Sequence, residues 1–239
     1  MKTIGLIGGM SWESTVPYYQ IINRTVKERL GGLHSAKVVL VSVDFHEIEA
    51  LMRAGSWDRL GDELGEAAIR AEAAGAEMLL LCTNTMHRVA PQVEARVRIP
   101  LLHIVDPTAR EIRRRGLTRV GLLATRFTME EGFYRDRLAR KHGIEALVPA
   151  TGDRDEIHRI IFDELCLGRV LGSSRDEYLR IARGLLERGA EGIVLGCTEI
   201  GMLIADGDLS APFFDTTSLH ATAAALLSTD DAVAGLAVP

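Results

Sequence analysis

Short apolar segments alternate along the chain with longer segments in which apolar residues recur at helical spacing. The short segments are apolar on both faces, which is typical of parallel strands covered by helices on each side. Strands are predicted at 3–7, 37–42, 78–81, 101–104, 120–124, 144–148 and 192–195. Helical spacing predicts helices that include 16–30, 58–74, 132–141 and 175–188. The pattern therefore predicts an α/β protein with parallel sheets.

An internal similarity divides this pattern into two halves. An offset of 114 residues aligns a GAE triplet that precedes one strand in each half, and it places Thr83 on Cys197 without a gap. An offset of 116 residues aligns the first strand of each half and places Tyr18 on Tyr134. Two matched segments in the same order, at nearly equal offsets, predict a duplication.

The duplication predicts two pseudo-symmetric Rossmann-like domains. The first is expected to comprise residues 1–97 plus 215–239 and to carry Thr83, and the second to comprise 98–214 and to carry Cys197. The tail after the second half contains an Ala-rich helical segment that could return to pack on the first half. Asp215 or Thr216 is expected to accept a hydrogen bond from a backbone N–H at the start of that helix.

Polar segments follow three of the predicted strands, at 8–12, 82–87 and 196–200. Ligands of open parallel sheets bind beyond the carboxyl ends of the strands. Backbone N–H groups at helix starts, with the helix dipole behind them, can hold an anion such as a substrate carboxylate. Asn84, Thr85 and Thr198 would add side-chain donors. The alternative is that Thr83, Thr85 and Thr198 only cap the following helices.

The cysteines differ in their predicted surroundings. Cys197 lies at a strand end and helix start, where a thiolate is stabilised and its pKa lowered, although a buried structural thiol is the alternative. Cys82 and Thr83 are neighbours, so in an extended strand they point to opposite sides. The repeat assigns Thr83 to the ligand side and Cys82 to the core. Cys166 is predicted to lie in an amphipathic helix, as core or as part of a cleft wall.

Other motifs carry less information. The segment GLIGGMSW after the first strand is not a GxGxxG dinucleotide motif, and neither GxSxG nor a P-loop occurs. His87 and His220 follow polar turns, where they could line the cleft or form hydrogen bonds behind it. Neither histidine has metal-ligand spacing, and no metal site is predicted.

Composition narrows the class of protein. The chain has 239 residues, 47% hydrophobic and 26% charged, with a net charge of −5. A negative chain argues against nucleic acid as a partner, because backbone binding needs a basic face. Three cysteines without a CxxC pair indicate neither a zinc knuckle nor a disulfide framework. Without a charged leader or a long apolar run, a cytoplasmic protein with no membrane contact is expected.

Four motifs together resemble one family. They are TIGLIGGMSWEST at 3–15, LCTNTMH at 81–87, LGCTEI at 195–200 and FDTTSLH at 214–220. They are similar to the aspartate/glutamate racemases, in particular to the bacterial L-aspartate/glutamate-specific or broad-specificity amino-acid racemases, over essentially the whole chain. The resemblance implies proton transfer by two groups on opposite faces of the substrate Cα, in a cleft between the domains. It also implies a homodimer that needs no metal, flavin or pyridoxal phosphate.

The chain departs from the family pattern at one catalytic position. Most members have a cysteine directly before Asn-Thr, whereas this chain has Thr83. A threonine hydroxyl is a far weaker acid than a thiol, so it is a poor base but can donate a proton to a carbanion. The resemblance implies that Cys197 deprotonates the L-substrate and Thr83 reprotonates the other face, which predicts an asymmetric enzyme. The residues assigned to substrate binding are Met10, Asn84, Thr85, Thr125, Thr198 and Glu199.

The substrate is less sharply defined. Aspartate racemases carry a basic residue in the segment corresponding to 163–168, which binds the second carboxylate of the substrate, but this chain has Cys166 there. Arg53 and Arg126 are the candidates to replace it. L-Aspartate, L-glutamate and a broader set that includes homoserine are the expected substrates. A hydantoin racemase, a maleate isomerase and a non-catalytic amino-acid-binding protein are the alternatives.

Overall fold

The structure is a computed structural model that describes the backbone of residues 1–236 and the side chains of residues 1–230. The chain forms two compact units: unit 1 comprises Met1–Ile104 and the chain from His220 onward, and unit 2 comprises Val105–Leu219. Both limits fall a few residues later than the predicted domain limits. The last residues of the predicted first domain, 237–239, lie outside the described part of the chain.

The described residues contain seven strands and ten α-helices. The strands are β1 (Ile4–Gly8), β2 (Val38–Ser42), β3 (Met78–Leu81), β4 (Arg119–Ala124), β5 (Glu145–Leu147), β6 (Ile193–Gly196) and β7 (Phe213–Asp215). The helices are α1 (Trp12–Leu30), α2 (Phe45–Arg53), α3 (Trp57–Ala73), α4 (Ala90–Glu94), α5 (Val105–Arg114), α6 (Arg126–Glu130), α7 (Gly132–His142), α8 (Thr151–Asp163), α9 (Gly172–Glu187) and α10 (Thr216–Leu236).

Unit 1 is built on a parallel sheet with the strand order β2-β1-β3. Alternate residues of β1 and β3 pack with α1 and α10 in one core cluster, because side chains two residues apart in a strand point to the same side. Ala221, Ala224 and Ala225 bring α10 into that cluster. Their spacing places them on one face of the helix, and their small side chains allow a close approach.

Unit 2 repeats this arrangement and extends it. Its parallel sheet has the order β5-β4-β6-β7, so β4 and β6 occupy the positions that β1 and β3 occupy in unit 1. Tyr18 and Tyr134, which the repeat aligns, are both fully buried, on α1 and α7 respectively. The α/β class with parallel sheets in two units is confirmed.

The GAE triplets form the same turn in both units. Gly75 and Gly189 have φ values of +93° and +94°, in the region where a side chain is strained. The carboxylate of Glu77 accepts a backbone N–H just before β1 at 2.7 Å. The carboxylate of Glu191 accepts two backbone N–H groups at the start of β4, at 2.9 and 2.8 Å. The repeat in the sequence therefore corresponds to a repeated connection between a helix and its sheet.

Two segments differ from the sequence-based prediction. Residues 101–104 do not form a strand, because only Leu101 makes a bridge, to Leu79 of β3. Conversely, Phe213–Asp215 forms a strand that was not predicted, and it pairs with β6 inside unit 2. The predicted helix cap is confirmed, since the Thr217 N–H donates to Asp215 Oδ1 at 3.0 Å.

Candidate active site

The first group of candidate residues follows β3 in unit 1. Thr83, Asn84 and Thr85 are 7%, 2% and 5% exposed and lie in a turn that leads into a 3₁₀ helix, Thr85–Val89. Met10 is also buried and follows β1, which pairs directly with β3. Since the strands are parallel neighbours, Met10 and the Thr83 turn leave the same edge of the sheet.

The second group follows β6 in unit 2. Cys197, Thr198 and Glu199 are all buried. One carboxylate oxygen, Glu199 Oε2, accepts hydrogen bonds from Cys197 Sγ and from Thr198 Oγ1, each at 2.9 Å. Thr125 follows β4, and β4 pairs with β6 through Ala124 and Gly196, so Thr125 leaves the same sheet edge as Cys197. The predicted residues of each unit thus gather at one edge of its own sheet.

The elements that follow these turns are shorter than expected. Thr85–Val89 and Ile200–Met202 are 3₁₀ helices of five and three residues. A macrodipole needs many aligned peptide groups, so these turns do not supply the helix dipole that the sequence suggested for binding an anion. Thr198 is not the N-cap of the second 3₁₀ helix: that position is Glu199, and no side chain caps the helix, while the Thr198 hydroxyl donates to Glu199.

The structure corrects the predicted direction of the pKa shift of Cys197. The sequence suggested a lowered pKa, but burial raises the pKa of Cys197 well above its usual value, and electrostatic interactions with Glu199 and Cys166 raise it further. Cys197 is therefore a thiol at neutral pH, and it donates its proton in a hydrogen bond to the Glu199 carboxylate. Sequence reasoning missed this contact, although a two-residue spacing in a turn allows it.

The other two cysteines occupy different surroundings. Cys82 is fully buried in the core cluster of unit 1 between the sheet and α1, and burial raises its pKa far above the usual range. It is thereby directed into the core, as the alternation with Thr83 predicted. Cys166 was predicted in an amphipathic helix, but α8 ends at Asp163, and Cys166 lies in a separate half-buried 3₁₀ turn. The Glu164 backbone, with φ −126° and ψ −67°, is neither helical nor extended, and the helix ends before it.

The remaining predicted groups have partners within their own units. Thr125 caps α6, since its hydroxyl accepts the Thr128 N–H at 3.4 Å. Arg53 pairs with Glu49 on the surface, and Arg126 pairs with Asp155 at 3.4 Å. A role for these residues in substrate binding stays a prediction.

His87 and His220 are both buried in unit 1. His87 Nδ1 lies 2.8 Å from the carbonyl oxygen of Thr83, four residues earlier. His220 lies on α10 and contacts the Tyr18 hydroxyl at 2.9 Å. The signal in the sequence for the first contact is the i, i+4 spacing of Thr83 and His87, which lets a side chain reach back to a carbonyl across a short turn.

The described residues contain neither a candidate metal cluster nor a candidate membrane-spanning helix. Among them, no three His, Cys, Asp or Glu side chains come together as a possible metal site. In the same part of the chain, no helix is both long enough and apolar enough to cross a bilayer.

Comparison with known proteins places the chain among enzymes of one kind. A family model described as Asp/Glu/hydantoin racemase matches residues 7–224. A candidate Asp/Glu racemase from Yersinia pestis is 54% identical, with a TM-score of 0.89, and the match covers 96% of this chain and 100% of that chain. An aspartate racemase homologue from Pyrococcus horikoshii OT3 is 34% identical, with a TM-score of 0.83 and coverage of 96% and 100%.

A more distant structure shares the fold alone. It is a glutamate racemase from Francisella tularensis in complex with D-glutamate, 14% identical, with a TM-score of 0.66, covering 97% of this chain and 82% of that chain. The family model and the two more similar structures define the class of enzyme, which is a racemase and hence an isomerase. More particularly, the chain belongs to the Asp/Glu/hydantoin racemase family.

Proposed function

We propose that this chain racemises an amino acid without a cofactor, by means of Cys197 and Thr83. Cys197 removes the α-proton of the L-substrate, and the Thr83 hydroxyl returns a proton to the opposite face of the Cα. The observation that carries the proposal is that these two residues are equivalent in the two units. Thr83 follows β3, which pairs with β1, and Cys197 follows β6, which pairs with β4. Inversion requires two groups on opposite faces, and duplicated units each supply one.

The two residues are chemically unequal. A thiol has a reference pKa of about 8.5, whereas an aliphatic hydroxyl ionises only far above the pH range of proteins. Thr83 is suited to give a proton to a carbanion and unsuited to take one from carbon. The proposed enzyme therefore has a higher kcat with L-substrates than with D-substrates, while kcat/KM is equal in the two directions because enantiomers have the same free energy.

Glu199 completes the proton path at Cys197. The thiol donates to Glu199 Oε2 at 2.9 Å, so proton transfer to the carboxylate yields a thiolate and a carboxylic acid. The thiolate then takes the α-proton and becomes a thiol again, while the carbanion takes the Thr83 hydroxyl proton. One proton passes from Glu199 to the Thr83 alkoxide through solvent to reset the site. This path supplies a base to a thiol that burial otherwise keeps protonated.

The proposed substrates are L-aspartate, L-glutamate or a broader set that includes L-homoserine. Residues 163–168 contain no basic side chain to hold a second carboxylate. A buried carboxylate without a cationic partner is penalised, which favours a neutral or permissive side-chain pocket. Met10, Asn84, Thr85, Thr125, Thr198 and Glu199 are proposed to contact the substrate.

Isotope exchange tests the proposal. In deuterated water, wild-type enzyme is expected to incorporate deuterium at the Cα of L-substrates much faster than at the Cα of D-substrates. Cys197→Ser is expected to abolish exchange while ligand binding persists. Equal exchange from both enantiomers would refute the unequal pair, and α-proton exchange retained by Cys197→Ser would refute the mechanism.

A hydantoin racemase is the second candidate, because the matching family includes that activity. A hydantoin ring is uncharged and needs no basic residue in 163–168. Amino acids, 5-substituted hydantoins and maleate assayed side by side by chiral chromatography separate these possibilities. Turnover confined to hydantoins or maleate would replace the amino-acid proposal.

We also propose a homodimer in the cytoplasm, in line with the family resemblance. Trp12, Val16 and Tyr19 lie along one face of α1 and are 65%, 44% and 54% exposed. Such an apolar stripe is suited to contact with a second copy. Light scattering after size exclusion is expected to give twice the chain mass, and Trp12→Asp is expected to shift it toward the monomer. A monomeric wild-type protein would refute the dimer.

A further inference from the structure

Thr83 leaves regular structure at the point where its hydroxyl is needed. The last ladder contact of this segment is the Cys82 N–H, which donates to the Ile7 carbonyl at 2.9 Å. Beyond it, the Thr83 carbonyl is held by a side chain, His87 Nδ1, at 2.8 Å. A group that must deliver a proton to one face of a carbon needs its position fixed to a fraction of an ångström.

The partners of His87 determine which ring nitrogen carries the proton. The Ile104 backbone N–H can only donate, and it donates to His87 Nε2 at 3.1 Å. Nε2 is therefore the acceptor of a neutral ring, and the proton lies on Nδ1. The Thr83 carbonyl can only accept, so the Nδ1–H donates to it. Both contacts require the same tautomer.

A second histidine holds the segment against which His87 rests. His220 Nε2 donates to the Leu102 carbonyl at 2.8 Å, since that oxygen can only accept. His220 Nδ1 then accepts the Tyr18 hydroxyl at 2.9 Å. The Leu102 N–H donates to the Leu79 carbonyl in β3 at 2.9 Å. Segment 101–104 is thus tied to the sheet and to α10, which gives His87 a fixed support.

Close packing restricts the movement of the His87 ring. His87 is 2% exposed, and the His103 ring lies 4.4 Å from it, centroid to centroid. The His220 ring lies 6.0 Å away. A half-turn of the ring would place carbon atoms where the two nitrogens lie, and the other tautomer would face both backbone partners with the wrong group. The arrangement therefore has a single hydrogen-bonded solution.

We propose that His87 is a positioning residue for Thr83: its Nδ1–H holds the Thr83 carbonyl and thereby directs the hydroxyl that protonates the substrate. His87 acts only through Thr83 and does not touch the substrate. The inference rests on the proposed function, in which Thr83 is needed for inversion but not for exchange at the L-face. Removing the Nδ1–H contact therefore impairs one half of the reaction and spares the half that Cys197 performs.

Two substitutions separate the ring nitrogens. In His87→Asn the amide nitrogen lies near the position of Nδ1 and can still donate to the Thr83 carbonyl. In His87→Gln the amide oxygen lies near the position of Nε2 and can still accept from Ile104, but the donor to Thr83 is lost. The two variants are matched in polarity, and each keeps one of the two contacts.

The experiment compares inversion with exchange. L-Aspartate, L-glutamate and L-homoserine are incubated in deuterated water, and the substrate with the fastest wild-type turnover is used. Deuterium in the remaining L-enantiomer reports Cys197, and formation of the D-enantiomer reports Thr83. His87→Gln is expected to lower the ratio of inversion to exchange at least tenfold, and His87→Asn to keep it within threefold of wild type. An unchanged ratio in His87→Gln, or an equal fall in both variants, would overturn the proposal.

A measurement on the wild-type protein does not depend on how the variants fold. Nitrogen-15 NMR of the imidazole is expected to show His87 as the neutral Nδ1–H tautomer. The Nε2–H tautomer or a charged ring would overturn the assignment. Failure of the racemase proposal itself would give a different result. The wild-type enzyme would then show no Cys197-dependent α-proton exchange, whichever tautomer His87 adopts.

Discussion

Replacing Glu199 by Gln separates two roles that the structure gives to its carboxylate. Burial is the main cause of the raised pKa of Cys197, and the Glu199 carboxylate raises it further. The same carboxylate accepts a hydrogen bond from the thiol, which places it to accept the proton. A thiolate 2.9 Å from a carboxylate is repelled by on the order of 5 kcal/mol at an effective dielectric constant of about 20. If Glu199 only repelled charge, Glu199→Gln would ease thiolate formation and accelerate proton abstraction.

If Glu199 is the proton acceptor, the same substitution has the opposite effect. Gln keeps the shape and the contact but cannot take a proton, and loss of a general base costs about 10²–10⁴-fold in rate. Glu199→Asp retracts the carboxylate by about one C–C bond, roughly 1.5 Å, which breaks the hydrogen bond while the charge remains. We therefore expect Gln and Asp both to slow the enzyme.

The assay is the initial rate of α-deuterium incorporation into the L-substrate, followed by proton NMR, with thiol alkylation measured in parallel. In Glu199→Gln the alkylation of Cys197 is expected to begin at lower pH than in wild type, because a negative charge beside the thiol is gone. Exchange is expected to fall although the thiol is more acidic. An exchange rate equal to or above wild type in Glu199→Gln would refute the reasoning.

Three further predictions concern stability. Cys82→Ser is expected to lower the free energy of unfolding by about 1–3 kcal/mol, because it buries a hydroxyl in an apolar core. Urea titration gives the folded fraction, and kcat divided by that fraction is expected to equal the wild-type value. A variant that loses activity but keeps its stability would contradict this. Although burial raises the Asp106 pKa, hydrogen bonds from Arg137 and its neighbours hold it well below its usual range, so Asp106→Asn is expected to cost about 1–3 kcal/mol at pH 7. The stability difference between wild type and the variant is expected to persist down to about pH 4 and to shrink at lower pH. Thermal melts recorded over a pH series measure it, and a difference that stays constant below that pH would contradict the prediction. Gly75→Ala and Gly189→Ala are each expected to lower the free energy of unfolding by about 1–3 kcal/mol in chemical denaturation, because both glycines have a positive φ. An unchanged stability in either variant would contradict the equivalence of the two turns.

Much of the fold could be predicted because it depends on local pattern. Strands buried on both faces stand out as apolar segments, and β3 lies at the predicted residues 78–81. The duplicated turn could be recognised in the sequence because each of its ends needs a particular residue type. Only glycine adopts the positive φ easily, and the Glu two residues later accepts a backbone N–H from the neighbouring strand segment. Strand β7 was missed because three residues next to a polar turn give too short a pattern, and its formation depends on pairing with β6.

The chemistry of the site was less predictable. The positions of Thr83 and Cys197 at equivalent strand ends followed from the repeat. The raised pKa of Cys197 did not, because burial and the approach of Glu199 depend on packing that the sequence does not display. The contact between His87 and the Thr83 carbonyl is local and has the i, i+4 spacing as its signal. His220 and the Leu102 carbonyl, in contrast, are 118 residues apart, and no local pattern predicts that contact.

Helix α10 has a consequence for the order in which the protein becomes active. The core of unit 1 includes Ala221, Ala224 and Ala225, and the Lys2 N–H donates to the Ser228 carbonyl at 2.8 Å. On the ribosome, unit 2 is therefore complete before unit 1 receives its last helix, since chains emerge from the amino terminus. The core of the first 104 residues stays incomplete until the chain after His220 has been synthesised. His220 arrives with that helix, so its hydrogen bond to the Leu102 carbonyl, which ties down the segment beside His87, forms last.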